Sequence, residues 1–261
     1  MIYFVGAGPG APDLITVRGK SLIQDCDQLI YAGSLVNPAL LDFAKEGCRI
    51  FNSASMTLEE ALARFVEGEK NSWLTVRLHT GDPSIYGAIR EQMDALAGKS
   101  IPFKVVPGVS SFCAAAAALN AEYTLPGISQ TLIISRAAGR TETPAGEDLA
   151  ALASHGASMA IFLSAALIED VRQKLLKSGL PPETPAAIVY KASWPDEKIV
   201  RGTIGALSAM QKELGEDKTA LILAGGFLGD GYQRSKLYDP DFEHGCRRKT
   251  ASGDGDTSNF T

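Results

Sequence analysis

Short runs of β-branched and aromatic residues alternate along the chain with stretches in which apolar residues recur every three or four positions. That alternation predicts a mostly parallel sheet with crossover helices. Strands are expected at Ile2 to Val5, Gln28 to Tyr31, Arg49 to Phe51, Leu74 to His79 and Phe103 to Val106 in the first half. The second half restarts at Thr131 to Ile134, followed by Met159 to Leu163, Ala186 to Tyr190, Ile199 to Thr203 and Ala220 to Leu223. Between them, a helix should begin near Thr16. Another follows Thr57, which forms a capping box with Glu60 ahead of the apolar stripe Leu58, Ala61, Leu62 and Phe65, and which Gly68 should end. Small residues from Ala114 to Ala118 read as a tightly packed helix, and Phe162 and Leu163 as core. Asn120 to Gln130 holds Pro126, Gly127 and other turn formers, so the domain boundary is placed there. The expectation is an α/β protein of two unlike domains, residues 1–120 and 121–246, with mixed sheets of about five strands each. Residues 247–261, rich in Gly, Ser, Asp and Thr, read as a disordered tail, and Arg136 to Glu147 as a long functional or mobile loop.

Composition narrows the class. With 45% hydrophobic and 21% charged residues, neither wholesale disorder nor a fibrous fold is expected. A net charge of -5 argues against broad nucleic-acid binding, which needs a basic face. Cys26, Cys48, Cys113 and Cys246 are scattered, as are His79, His155 and His244, so no metal-ligand spacing appears and a reducing cytoplasm is expected. Met1 leads into a strand with no basic segment before it, and the apolar runs are too short to span a membrane. A soluble protein with no membrane partner follows.

Candidate chemistry lies in three turns, each directly behind a strand. The first is Gly6-Ala7-Gly8-Pro9-Gly10-Ala11-Pro12-Asp13, where glycines permit close backbone approach at the edge where α/β proteins gather ligands. Gly6, Gly8 and Ala11 formally satisfy a dinucleotide fingerprint. Pro9 and Pro12, however, remove amides that a pyrophosphate would need, and the second strand ends in Ala32-Gly33-Ser34 with no acid for a ribose. A nicotinamide-dependent reductase is therefore disfavoured. The second turn is Thr80-Gly81-Asp82-Pro83-Ser84-Ile85-Tyr86-Gly87, in which Asp82 caps a helix or accepts from a ligand hydroxyl and Pro83 suits a first helical turn. The third, Val105-Val106-Pro107-Gly108-Val109-Ser110-Ser111-Phe112, offers two hydroxyls and free amides at a helix start. Each is also explicable as a structural turn.

Together these turns, with Ala220-Leu221-Ile222-Leu223, resemble the tetrapyrrole methyltransferase family over nearly the whole chain. The resemblance implies S-adenosylmethionine as methyl donor, a two-domain fold distinct from the Rossmann-like methyltransferase fold, and a homodimer. Within that family, Tyr31-Ala32-Gly33-Ser34-Leu35-Val36-Asn37-Pro38 resembles the branch that methylates C11 of precorrin-4 or its cobalt form, on the route to cobalamin. Ser135 to Thr141 and Val189 to Glu197 support the same branch. A relative of the same fold that methylates another precorrin or a macromolecule is the alternative; the acidic charge weighs against RNA.

The resemblance carries a cofactor site over to Pro9, Thr80, Gly81, Asp82, Ile85, Ser110, Ser111, Ser164, Tyr190, Ala192, Ala220 and Leu221. A tetrapyrrole ringed with carboxylates needs local cations, for which Arg136, Arg140 and Lys191 are candidates because Arg grips carboxylates bidentately. Solvated loop charge is the alternative for each. Ser34 and Asn37 read either as substrate-side residues or as helix N-caps. No general base is identified, and Lys191 and Tyr190 stand only as options.

Overall fold

The computed structural model describes residues 1–239, 242–243 and 245, without the side chains of Ser34 and Tyr238. The expected tail, 247–261, lies outside the described residues. Two five-stranded sheets follow one another along the chain. The first contains β1 (Ile2–Gly6), β2 (Gln28–Tyr31), β3 (Arg49–Asn52), β4 (Thr75–His79) and β5 (Phe103–Val106) in the order β3-β2-β4-β1-β5. Every pairing in it is parallel. All five carboxyl ends therefore open on one edge, which carries the three glycine-containing turns.

The second sheet holds β6 (Leu132–Arg136), β7 (Ser158–Phe162), β8 (Pro185–Tyr190), β9 (Lys198–Thr203) and β10 (Ala220–Ala224) in the order β6-β7-β10-β8-β9. Here only β6 and β7 run parallel, while β7–β10, β10–β8 and β8–β9 are antiparallel. Mixed sheets of five strands are what the sequence leads one to expect, and the antiparallel part of the second has a simple cause: the short link between β8 and β9 permits a hairpin, whereas a parallel return needs a crossover of a dozen residues or more. The antiparallel register places the start of β10 beside the ends of β7 and β8, so Phe162, Tyr190 and Ala220 share one edge with Arg136.

Helices cover both faces of each sheet. Helix α1 (Val17–Asp25) is capped by the Thr16 hydroxyl, which accepts from the Gly19 amide. Helix α2 (Leu58–Lys70) has the full capping box, with the Glu60 carboxylate accepting from the Thr57 amide at 2.7 Å. Gly68 does not end α2. The helix continues to Lys70 and is capped by Asn71, and Gly68 instead lets it lie close to the sheet, since a Cβ there would come 2.7 Å from Gln28 Oε1. Helix α3 (Arg90–Ala97) begins well after Pro83. The expected helical turn at Pro83 stays a single turn, because Tyr86 and Ala88 take φ of 55° and 49°, a left-handed conformation that no helix continues through.

Helix α4 (Ser111–Leu119) follows the first sheet in sequence but packs on the second. Ala114, Ala115 and Ala116 lie against Ala160, Ala187, Val189, Leu221 and Leu223, small residues on both sides allowing close contact. Arg201 on β9 donates to the Leu119 carbonyl at 2.7 Å, closing the helix end. Helices α5 (Leu149–Ala153), α6 (Ile168–Lys177) and α7 (Leu207–Leu214) fill the opposite face around Met159, Ile161 and Ile222. Leu163 is not core: it is 69% exposed, with φ of 54°, because β7 ends one residue earlier and the chain reverses there. Phe162 is only half-buried.

Candidate functional site

The three turns of the first sheet meet backbone to backbone. Gly8 and Gly81 exchange amide-to-carbonyl hydrogen bonds of 3.3 and 2.8 Å. A Cβ on Gly6 would lie 2.5 Å from Gly108 Cα and 2.6 Å from the Gly81 carbonyl oxygen, so glycine is required at Gly6 and Gly108 by the contact itself. Asp82 links the second and third turns. One carboxylate oxygen accepts from the Gly108 amide at 2.8 Å, and the other from the Ser84 amide at 2.8 Å and from the Ser84 hydroxyl. Burial alone would raise the Asp82 pKa; hydrogen bonds from Ser84 and Gly108 outweigh it and hold the group below the usual carboxylate value.

Thr80 and Ile85 flank this knot, Thr80 exposed and Ile85 half-buried. Ser110 is the N-cap residue of α4 but its hydroxyl makes no capping bond, and it sits with its Cα 3.5 Å from the position of a Gly81 Cβ. Ser111 opens the helix. On the second sheet, Tyr190 pairs with Ala220 across the shared edge, and the Lys191 amide donates to Thr219 at 3.0 Å. Tyr190, Ala192, Ala220 and Leu221 are all buried. Ser164 is fully enclosed and its hydroxyl is committed: it accepts from the Ala137 amide at 2.8 Å and donates to the Phe162 carbonyl at 2.6 Å. It ties the ends of β6 and β7 together.

The two edges face one another and touch. Pro9, Gly10 and Ala11 each meet a residue from outside their own turn. Trp194 Nε1 donates to the Pro9 carbonyl at 3.0 Å, the Ala11 amide donates to the Ser193 hydroxyl at 3.0 Å, and Asn37 Nδ2 donates to the Gly10 carbonyl at 2.9 Å. Asn37 is also an N-cap, its oxygen accepting from the Ala39 amide. Farther along, the Tyr86 ring lies 5.4 Å from that of Phe162. Burial raises the Tyr86 phenol pKa, and the charge of Arg136 partly offsets it. Non-glycine residues with left-handed backbone gather at these edges: Tyr86, Ala88, Leu163, Lys191, Ser193 and Thr219. Such conformations collect where a ligand-facing surface is fixed by its surroundings.

The cation candidates differ in their commitments. Arg136 donates to the carbonyls of Ala137, Thr141 and Glu142 and so staples its own loop. Lys191 pairs with Asp196 at 2.6 Å, which raises its pKa, and its ammonium lies over the Tyr190 and Trp194 rings. Arg140 is exposed on the loop that follows β6. Ser34 stands in a short helical turn after β2, and its side chain lies outside the described residues. Beneath the first edge, on β4, Arg77 donates to the Ser53 hydroxyl at 2.7 Å, and His79 is buried with its Nε2 unpaired. Burial, then the Arg77 charge, push His79 down to about 3.

Sequence reasoning missed Tyr86, Leu163, Ser193 and Trp194 as cleft residues. Trp194 and Ser193 had a signal, since both sit in the Val189 to Glu197 segment, and Tyr86 lies in the second glycine turn; their contacts across the halves, and the exposed turn at Leu163, appear only in the folded chain.

The model of the tetrapyrrole (corrin/porphyrin) methylases matches residues 1–208. A cobalt-precorrin-4 C(11)-methyltransferase of Methanocaldococcus jannaschii is 51% identical over 248 residues, covering 95% of this chain and 96% of that protein. A precorrin-4 C(11)-methyltransferase of Pseudomonas aeruginosa is 43% identical, over 93% of this chain and 97% of that protein. Among solved structures, that of a cobalamin biosynthetic enzyme, cobalt precorrin-4 methyltransferase, superposes with a TM-score of 0.86 at 45% identity, covering 88% of this chain and 96% of that one. A uroporphyrin-III C-methyltransferase of Thermus thermophilus gives 0.72 at 25% identity, covering 87% and 93%.

Proposed function

The chain belongs to the tetrapyrrole methylase family, and we propose that it transfers a methyl group from S-adenosylmethionine to C11 of precorrin-4 or cobalt-precorrin-4, a step in making the corrin ring of cobalamin. The observation that carries this reading is identity of 43–51% to precorrin-4 and cobalt-precorrin-4 C(11)-methyltransferases over more than nine-tenths of the chain. The family uses S-adenosylmethionine.

The chain fits that donor in kind. Glycine-only contacts at Gly6 and Gly108, with Gly81 at a left-handed φ of 60°, leave a floor of backbone, which neither adds bulk nor charge beside a sulfonium. Pro9, Thr80, Gly81, Asp82, Ile85, Ser110 and Ser111 are the donor's neighbours on the first edge, with Tyr190, Ala192, Ala220 and Leu221 on the second. Ser164, whose hydroxyl is already used twice, shapes that edge from behind. When bound, S-adenosylmethionine supplies an electrophilic methyl group. The chain's part is to hold the acceptor carbon in line with it, which supplies proximity and orientation rather than acid or base catalysis. Accordingly no general base is assigned.

The acidic macrocycle is received on the Tyr86, Phe162 and Arg136 side of the cleft, with Arg140, Lys191 and Ser34 at its margin. Arg140 is the cation best able to reach a carboxylate, since Lys191 already holds Asp196. Two working domains, 1–120 and 121–246, are part of this reading, with α4 as the seam between them. So are a homodimer and a cytoplasmic setting. The second is supported by free thiols at Cys26, Cys48 and Cys113, which a reducing compartment would keep unpaired.

Titration with S-adenosylhomocysteine, NAD and NADP in separate calorimetry runs tests the cofactor part. Saturable binding of S-adenosylhomocysteine alone is expected; nicotinamide binding without it would overturn the reading.

A further inference from the structure

The segment Lys191 to Glu197 marks the chain's resemblance to its family, yet its charged groups find partners within the segment itself. Lys191 binds Asp196, and the Glu197 carboxylate accepts from the Ser193 amide at 2.6 Å. Two further backbone bonds, Trp194 to Lys191 at 2.9 Å and Glu197 to Trp194 at 3.1 Å, close the turn. Lys191 and Ser193 hold left-handed φ values of 45° and 69°, which non-glycine residues adopt only when their surroundings hold them there. The result is a stiff arm on the second sheet.

That arm ends on the opening turn of the first half. The indole N–H donates to the Pro9 carbonyl, and the ring fills the place where a Gly10 side chain would stand, since a Cβ there would be 2.8 Å from Trp194 Cγ. Ser193 takes the next amide, that of Ala11, and Asn37 fixes the Gly10 carbonyl from the first-half side. Three successive residues of the turn are thus held from outside it, two of them by residues more than 180 positions away. The turn's own prolines do not supply this, because Pro9 and Pro12 lack the amides that would tie them internally.

We propose that Trp194 is a positioning residue for the methyl donor: by gripping Pro9 and Gly10 it sets the wall that the donor meets, so donor affinity depends on an arm of the other half. This inference rests on the reading that Pro9 lines the donor site. It also gives Gly10 a purpose distinct from close approach to a ligand, namely room for the indole.

Calorimetry with S-adenosylhomocysteine on the full chain tests it, using Trp194→Phe, Trp194→Ala, Gly10→Ala and the Gly10→Ala/Trp194→Ala double variant. Trp194→Phe keeps a ring but loses the N–H, so affinity falls about 3- to 10-fold, as for one ordinary hydrogen bond. Gly10→Ala forces the indole away and weakens binding about tenfold or more. With the indole already removed, the same alanine costs nothing further, a non-additivity that a merely structural role for Gly10 would not produce. In a Trp73→Phe background Trp194 is the chain's remaining tryptophan, and its emission should shift on adding S-adenosylhomocysteine. Single variants binding within twofold of the parent, fully additive losses, or an unresponsive Trp194 emission would each overturn the inference while leaving the donor site standing. Failure of the unaltered chain to bind S-adenosylhomocysteine would instead overturn the site reading itself. Should Trp194→Ala fail to fold, the phenylalanine variant and the emission measurement decide.

Discussion

Replacing Gly108 with alanine probes the point where the three turns of the first sheet touch. A Cβ there would lie 2.7 Å from Gly6 Cα and 3.0 Å from the Gly6 carbonyl carbon, and closer still to the Gly81 carbonyl oxygen. Ordinary van der Waals contact begins near 3.4 Å, so Gly6 must retreat by about 0.7 Å and the Gly81 carbonyl oxygen by more, the kind of backbone shift that overpacking forces. All of these neighbours are main-chain atoms, and none can rotate aside as a flexible side chain would. The Gly8–Gly81 bonds and the Asp82–Gly108 bond resist the same displacement. Overpacking a closed site costs about 1–3 kcal/mol, and at about 2–4 °C per kcal/mol for a chain of this size the midpoint of thermal unfolding should fall by roughly 2–12 °C. If the displaced turns form the donor's floor, as proposed, S-adenosylhomocysteine affinity should fall at least about tenfold as well. Gly146→Ala is the control, since nothing lies within 4 Å of its Cβ position. Differential scanning fluorimetry and calorimetry on both variants decide. A Gly108→Ala protein that melts and binds like Gly146→Ala would refute the account of the glycine knot.

Asp82→Asn replaces one of the two oxygens that receive Gly108 and Ser84 with an amide that can only donate, so denaturant unfolding should show a loss of about 1–2 kcal/mol; an unchanged midpoint would contradict the assigned bonds. Ser164→Ala leaves the buried Ala137 amide without its acceptor, with an expected cost of about 1–3 kcal/mol, again read by denaturant unfolding and contradicted by wild-type stability. His79 titrates near 3 when folded, against 6.5 as its ordinary value. Between those values the unfolded chain binds more protons, so His79 lowers stability as pH falls from about 6.5 toward 3, by at most about 1.4 kcal/mol per pH unit. Comparing unfolding across that range with His79→Gln should remove part of the slope, and identical pH profiles would show that His79 does not contribute.

Much of the fold was legible because strands write themselves locally. The ten strands fall where β-branched runs predicted them, to within one or two residues, and the Thr57 capping box needs only residues three apart. Long-range choices were less legible. Gly68 looked like a helix end because a glycine that stops a helix and one that lets it approach a sheet read alike in sequence; Gln28 and Thr75 on the neighbouring strands decide between them. Leu163 reads as core by hydropathy, yet it stands on the exposed turn after β7. Helix α4 is contiguous with the first half but buries its alanines on the second sheet, which no periodicity reveals.

The same division holds at the site. The glycine turns announced themselves by their position behind strands, and the prolines of the opening turn argued against a phosphate cradle. What the opening turn leans on was invisible, because Trp194 and Ser193 meet Pro9 and Ala11 only through the folded chain. Arg136 and Lys191 looked equally free in sequence. In the structure Arg136 braces its own loop and Lys191 is neutralised by Asp196.

The most direct test of the central claim is the position of the transferred methyl. The purified chain is incubated with carbon-13 methyl-labelled S-adenosylmethionine and precorrin-4, with and without cobalt in the ring, and the product is read by NMR. The account predicts one labelled methyl per macrocycle, on C11. Label on any other carbon, or no transfer to either form of the ring, would contradict it.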